Sequence, residues 1–352
     1  MIAIEPPLGI DPNWGKMAKK QRRFHRKDRE HKLNRNQIDF EEYIQSGRIQ
    51  QRDPSFPPPD IVTPPRRPWE SYLDSKLSSY RNLKQRDFEI ATFENGVWDR
   101  DSAHAAFYAQ KLASLIQFHI SGNFSKRYPG RSLKTLWPEQ VAYAALAVVI
   151  GAEDEGFGLA RLCLDSYRQG WVESPDFFAL YIFMFRLFAD HLGQPPLELV
   201  GEPSRETFTN ALFDQWRTPD PTVLAPLCLA VCDFHTHRCK PDKGDVFHEF
   251  TEGSWVLCPI EILLLFRLRE LNGLSNPELD HPLMNSALGQ LPTEGSWVVD
   301  PLLSRVEQRM IADGFDEDQI RSLATDGSIS SNHGKINKSW LPRFVGRAIG
   351  RE

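Results

Sequence analysis

From Trp69 onward, apolar residues recur at helical intervals, and most of these runs open on a proline or small polar residue and end near a glycine. The pattern predicts helices over Trp69–Lys84 and over Asp101–Ser121, the latter with Ser102 as cap, Phe107, Leu112, Leu115, Ile116 and Phe118 on its apolar side, and Gly122 just beyond. Pro138 stands where the first turn of another helix belongs, with Glu139 complementing the helix dipole and Val141–Ile150 apolar almost all round. Ser174, Pro175 and Asp176 make a similar opening for Phe177–Leu192. Two helices with so little polar surface belong at the centre of the fold. Shorter helices are predicted over 204–216, capped by Ser204, and over 221–237, where the alternation of Leu227, Leu229 and Val231 leaves a strand open. Pro259 opens Ile260–Leu271, closed by Gly273, and 299–312 and 316–324 read as amphipathic helices joined at Gly314. The fold class is therefore all-α, a multi-helix globular bundle.

The first 67 residues read differently. Large apolar residues are sparse over 1–53, which predicts a disordered arm or a solvated helix that adds nothing to a core. Residues 54–68 hold seven prolines and favour extended polyproline II spacing. The expected organisation is a basic, proline-rich arm and linker over 1–67, a helical domain over 68–324 that could divide into 68–200 and 201–324, and a tail over 325–352.

With 352 residues, 41% of them hydrophobic, the chain can bury a large core. Residues 1–13 lack the apolar stretch of a secretory signal, and the run Trp255–Leu268 is interrupted by Pro259, Glu261 and Arg267 and is too short to span a membrane. Cys163, Cys228, Cys232, Cys239 and Cys258 are odd in number and lie mostly in apolar stretches, as reduced cytoplasmic thiols do. Cytoplasmic localisation without membrane contact is expected. Charge is segregated: residues 16–35 carry ten Lys/Arg against Asp28 and Glu30, a local +8 within a net −5, which leaves −13 elsewhere. Within that arm Lys19, Lys20, Arg22, Arg23, Arg26 and Lys27 are the candidate phosphate contacts for a nucleic acid, although Phe24 alone offers base stacking. Glu153, Asp154 and Glu155, and separately Asp313, Asp316, Glu317 and Asp318, form two acidic runs beside helix ends that could steer a cationic partner.

Candidate catalytic chemistry is sparse. Cys228, Cys232, Asp233, His235, His237, Cys239 and His248 are potential metal ligands, of which Cys232, His235, His237 and Cys239 make the best set, but no clean second pair follows Cys228 and Cys232. On a helix those two thiols share a face and pack as small apolar groups. His235-Thr236-His237, with Asp233 and Glu249, could instead serve a metal-dependent hydrolase, yet no series of strands supplies the remaining ligands. Structural histidines at a helix end account for the pair more simply. Gly156-Phe157-Gly158 reads as a connection between helices, lacks the third glycine of a phosphate loop and follows no strand. Glu261, the one carboxylate in an apolar helix, is expected to cap its first turn. Thr251-Glu252-Gly253-Ser254-Trp255-Val256 returns as Thr293-Glu294-Gly295-Ser296-Trp297-Val298, each two residues ahead of a proline, which reads as a reused helix entry plugged by tryptophan.

The stretch CLAVCDFHTHRCK from Cys228, then SWVLCPIEILLLFRLRELNGL, NPELDHPLM and GQLP, resembles the C-terminal part of all-helical bacterial immunity proteins that accompany polymorphic or contact-dependent toxins, secretion-system effectors among them. The resemblance implies a non-enzymatic antitoxin of bacterial competition, without cofactor, that binds one cognate toxin domain and covers its active site. The two acidic runs are the candidate contacts. The basic arm departs from that compact pattern and supports nucleic-acid association as an alternative.

Overall fold

The computed structural model describes residues 9–16, 26–48, 68–129, 132–133, 135–136, 138–173, 178–197, 207–239, 248–250, 255–293, 295–315 and 317–326. They form the helices α1 (Arg26–Ser46), α2 (Pro68–Asn95), α3 (Arg100–Arg127), α4 (Pro138–Ile150), α5 (Glu153–Arg168), α6 (Ala179–His191), α7 (Thr207–Gln215), α8 (Pro221–Arg238), α9 (Ile260–Leu271), α10 (Pro301–Ala312) and α11 (Glu317–Asp326). The strands β1 (Thr135–Leu136) and β2 (Val172–Glu173) add a two-residue parallel pair, with Thr135 opposite Val172. The architecture is an all-α multi-helix globular fold. Among the described residues no helix is long and apolar enough to cross a membrane.

Both helices expected at the centre, α4 and α6, are largely buried there. Every residue from Val141 to Ile150 is buried, and α4 packs against α3, α5, α6 and α9. A helix apolar on all sides has no face to give to water, so its neighbours must enclose it. α2 and α3 lie along one another, α7 packs on α8, and α11 closes over α3 and α5. The core is continuous across position 200, because α9 rests on both α4 and α6.

Helix starts follow the cap chemistry. The Asp220 and Asp300 carboxylates accept the Thr222 and the Leu302 and Leu303 amides, each just ahead of a proline at the first helical position. At α3 the cap is Asp99, which accepts the Ser102 amide; Ser102 itself lies inside the helix. Residues 221–238 are helical throughout, so the alternation there reflects a helix buried at its middle and not a strand. The expected cap Ser204 lies outside the described residues.

Two corrections concern segments read as non-core. First, α5 occupies the stretch taken as a connection. Gly156 sits inside it against α4, where an added Cβ would lie 2.7 Å from Val148 Cγ2 and 2.8 Å from the Ala144 carbonyl oxygen. Gly156, which looked like a breaker, lets two helices approach closely. Second, residues 1–53 do contribute to the core. Phe40 and Tyr43 of α1 are fully buried, and the Tyr43 hydroxyl donates to Asp313 at 2.9 Å. Residues 9–16 dock on the far side: the Trp14 indole N–H donates to the Val256 carbonyl at 3.0 Å, and the Asp11 amide donates to Thr236 Oγ1 at 2.9 Å. Hydrophobic density over the whole segment is low, but the aromatic residues Trp14, Phe40 and Tyr43 pack into the core. Residues 51–67 and the tail beyond Asp326 lie outside the described residues.

Candidate functional site

The two acidic runs lie far apart in the sequence, one mid-chain and one near its end, and the fold joins parts of both. Glu153, Asp154 and Glu155 form the first turn of α5, where carboxylates are favoured by the exposed amides. Glu317 and Asp318 stand in the first turn of α11 for the same reason. Between them α3 presents His104, Tyr108 and Lys111, successive positions on one helical stripe. Lys111 Nζ lies 3.3 Å from Glu307 of α10 and 3.7 Å from Glu317. The Tyr108 hydroxyl also donates to Glu307.

His104 is fully buried, stacked on Tyr108 at 5.7 Å and on Trp297 at 5.3 Å between ring centroids, with Nε2 3.4 Å from Glu155 Oε1. Burial alone would push the Glu155 carboxyl up. The His104 hydrogen bond and the charges of His104 and Lys111 outweigh it and hold Glu155 below the ordinary carboxylate value. A carboxylate so held stays ionised at neutral pH. Asp154 and Asp318 are exposed and stand at the rim of this face. Asp313 belongs elsewhere: it binds the Arg309 guanidinium at 2.8 and 3.1 Å and receives the Tyr43 hydroxyl, so it fastens α1 to α10. Asp316 lies outside the described residues.

A second polar centre lies at the C-terminal end of α8, buried except at His237. His235 is fully buried, with Nδ1 2.8 Å from Glu261 Oε1 and Nε2 2.9 Å from the Trp255 carbonyl. Glu261 therefore pairs with a histidine across the core; the expected capping role is not what it does. A different helix is capped in trans by a carboxylate: Glu249 accepts the Ala179 and Leu180 amides at 3.1 and 2.6 Å at the start of α6. Asp233 accepts the Gly9 amide and faces His281 Nε2 at 3.3 Å, while His281 Nδ1 accepts the Leu283 amide, so Nε2 carries the proton. His237, at the helix end, has Nε2 2.9 Å from the Gly9 carbonyl. These are structural histidines meeting carbonyls and carboxylates.

The metal alternatives do not fit this geometry. Cys232, His235, His237 and Cys239 do not converge, since His235 has both ring nitrogens engaged and His237 points to the docked segment. Burial first, and then neighbouring carboxylates, push the Cys232 and Cys239 thiols well above their ordinary value, which disfavours the thiolate a metal requires. Among the described residues no three His, Cys, Asp or Glu side chains are arranged to hold an ion. The hydrolase set fails likewise, because Asp233, His235 and Glu249 are each spent on internal hydrogen bonds. Of the phosphate-contact candidates, Lys19, Lys20, Arg22 and Arg23 lie outside the described residues, and Arg26 and Lys27 open α1.

Glu249 gives the fold a pH dependence. Burial raises its carboxyl from the ordinary 4.5 to about 8 against the opposing pull of the two amides. Between these values the folded chain holds a proton that the unfolded chain has released, so this contribution is complete below about pH 4.5 and is lost as pH rises toward 8. Denaturant titrations of the wild type should show stability falling by roughly 3–4 kcal/mol from about pH 5 to about pH 8 relative to Glu249→Gln, which has no proton to lose. Parallel pH profiles for the two proteins would show that Glu249 does not titrate in this window.

Residue patterning missed His104, Tyr108, Lys111 and Glu307. A signal for the first three existed in their three- and four-residue spacing along an otherwise apolar helix, whereas Glu307 had none. Among known proteins, no family model, no curated protein and no solved structure matches this chain.

Proposed function

We propose that the chain is a non-enzymatic binding protein of the immunity type, which neutralises a cognate bacterial toxin domain by covering its active site with the face built from α3, α5 and α11. The observation that carries this reading is the meeting of Glu155 and Glu317, from acidic runs far apart in sequence, about His104 and Lys111 on a single helix. A face with ionised carboxylates at its rim attracts a cationic partner and raises its association rate. Toxin domains that act on nucleic acid are commonly basic, so the charges are complementary. The internal use of the histidines and buried carboxylates of α8 and α9 supports binding over catalysis.

The test begins with affinity purification of the tagged chain from its native cells under high salt, with the recovered protein assayed for toxicity and for inhibition by the chain. The expected result is one toxin domain whose activity the chain suppresses, with association slowed about tenfold at low salt in the Asp154→Lys/Asp318→Lys variant. Inhibition with an association rate indifferent to these charges would remove the acidic face. Absence of any inhibited toxin would remove the immunity reading.

A further inference from the structure

Helix α1 has a charge layout that its own stability does not account for. Its first ten residues, Arg26–Arg35, include five Lys/Arg (Arg26, Lys27, Arg29, Lys32 and Arg35) against Asp28 and Glu30, while residues 36–46 include Asp39, Glu41 and Glu42 and no Lys or Arg. Helix dipoles favour the reverse, with anions at the N-terminal end and cations at the C-terminal end. Packing explains the acidic half: Asp39 lies 2.7 Å from Lys76 Nζ and Glu41 binds the Arg305 guanidinium at 2.6 and 2.7 Å. Packing also explains Arg29, whose guanidinium grips the Asp87 carboxylate with both branches, at 2.5 and 2.7 Å. Lys32 and Arg35 are exposed, one turn apart, and His31 beside them is exposed too. Among the described residues, nothing in the docking of α1 calls for cations there.

We propose that the N-terminal half of α1, through Lys32 and Arg35, binds the phosphate backbone of a nucleic acid. The anchored half of the helix, held by Phe40 and Tyr43 in the core and by the Arg29–Asp87 grip, presents these two cations on a rigid support. Phosphate recognition needs only positive charge at fixed spacing and releases counterions on contact. The helix is poorly suited to a lipid surface. Its apolar residues Leu33, Phe40, Tyr43 and Ile44 are committed to the protein body, which leaves Ile38 as its exposed large apolar side chain. Outside residues 16–35 the chain carries −13, so a polyanion is drawn to this basic stretch and away from the face formed by α5 and α11.

The experiment measures binding of a labelled DNA duplex of about 20 base pairs to the full chain between roughly 50 and 200 mM salt, beside sedimentation with anionic phospholipid vesicles. The expected result is salt-dependent duplex binding that weakens about tenfold in Lys32→Ala/Arg35→Ala, with the slope of log affinity against log salt reduced in magnitude by nearly 2. Unfolding of this variant should match the wild type, because both side chains are exposed, and Asp154→Lys should not weaken duplex binding. Absence of duplex binding at low salt, an unchanged slope in the double variant, or vesicle binding that depends on Lys32 and Arg35 where duplex binding does not would each overturn the proposal.

Discussion

His235→Ala should cost about 3–5 kcal/mol in denaturant unfolding, a large fraction of the stability of an ordinary domain. The substitution leaves Glu261, fully buried, without the partner of its Oε1, and its Oε2 has no hydrogen bond among the described residues. It also strips the Trp255 carbonyl of its imidazole and opens a cavity beside the Phe250 ring, which lies 5.7 Å from that of His235. A buried carboxyl with no partner must either take a proton or remain charged in a medium that solvates it poorly, and both are costly. The double replacement His235→Leu/Glu261→Met separates pairing from packing. Apolar groups of similar volume satisfy each other, so the double variant should recover more than half of the loss. A double variant as unstable as the sum of its single variants would show that the site is held by shape and not by the pair.

Gly156→Leu should separate α4 from α5 and cost at least about 4 kcal/mol, and the smaller Gly156→Ala about 1–3 kcal/mol. Replacing a mid-helix glycine with alanine ordinarily stabilises by up to about 1 kcal/mol, so the sign itself is the test. At Gly156 the obstruction includes the Ala144 carbonyl oxygen and the Val148 amide nitrogen, 2.8 and 3.0 Å from the added Cβ, and backbone in a buried helix cannot swing aside. Gly158, two residues on, is the control, because the nearest atom to its added Cβ is Glu317 Oε2 at 3.9 Å. Gly158→Ala should be neutral or stabilising. Equal effects at the two positions would show that the α4–α5 approach is looser than described.

These two sites show what was legible in the sequence. The central helices, the proline starts of α4, α8 and α10 and the Ile260–Leu271 boundaries follow from apolar runs and from the fixed φ of proline, which act locally, while the Ser174-Pro175-Asp176 opening lies outside the described residues. The role of Gly156 was hidden, because a glycine that interrupts a helical pattern reads as a break unless the opposing helix is known. The Glu261–His235 pair and the capping of α6 by Glu249 were hidden for a related reason: the partners lie 26 and about 70 residues away, where spacing carries no information. The acidic face was half legible. Each run advertised itself by composition, but their shared lysine comes from the middle of α3, and Asp313, counted among them, turned out to hold Tyr43.

The docking of residues 9–16 sets an order on synthesis. The Gly9 amide binds a carboxylate 224 positions later, and the Trp14 indole binds a carbonyl 242 positions later. A chain made from its N-terminus can assemble α2 to α6 as they emerge, since those helices pack largely on sequence neighbours. The segment 9–16, made well before its partners, has no seat until α8 and the loop before α9 have left the ribosome. It is therefore among the last pieces to settle, a clasp closed when the rest is built, and until then Trp14 and the basic stretch beside it travel with a partly folded chain.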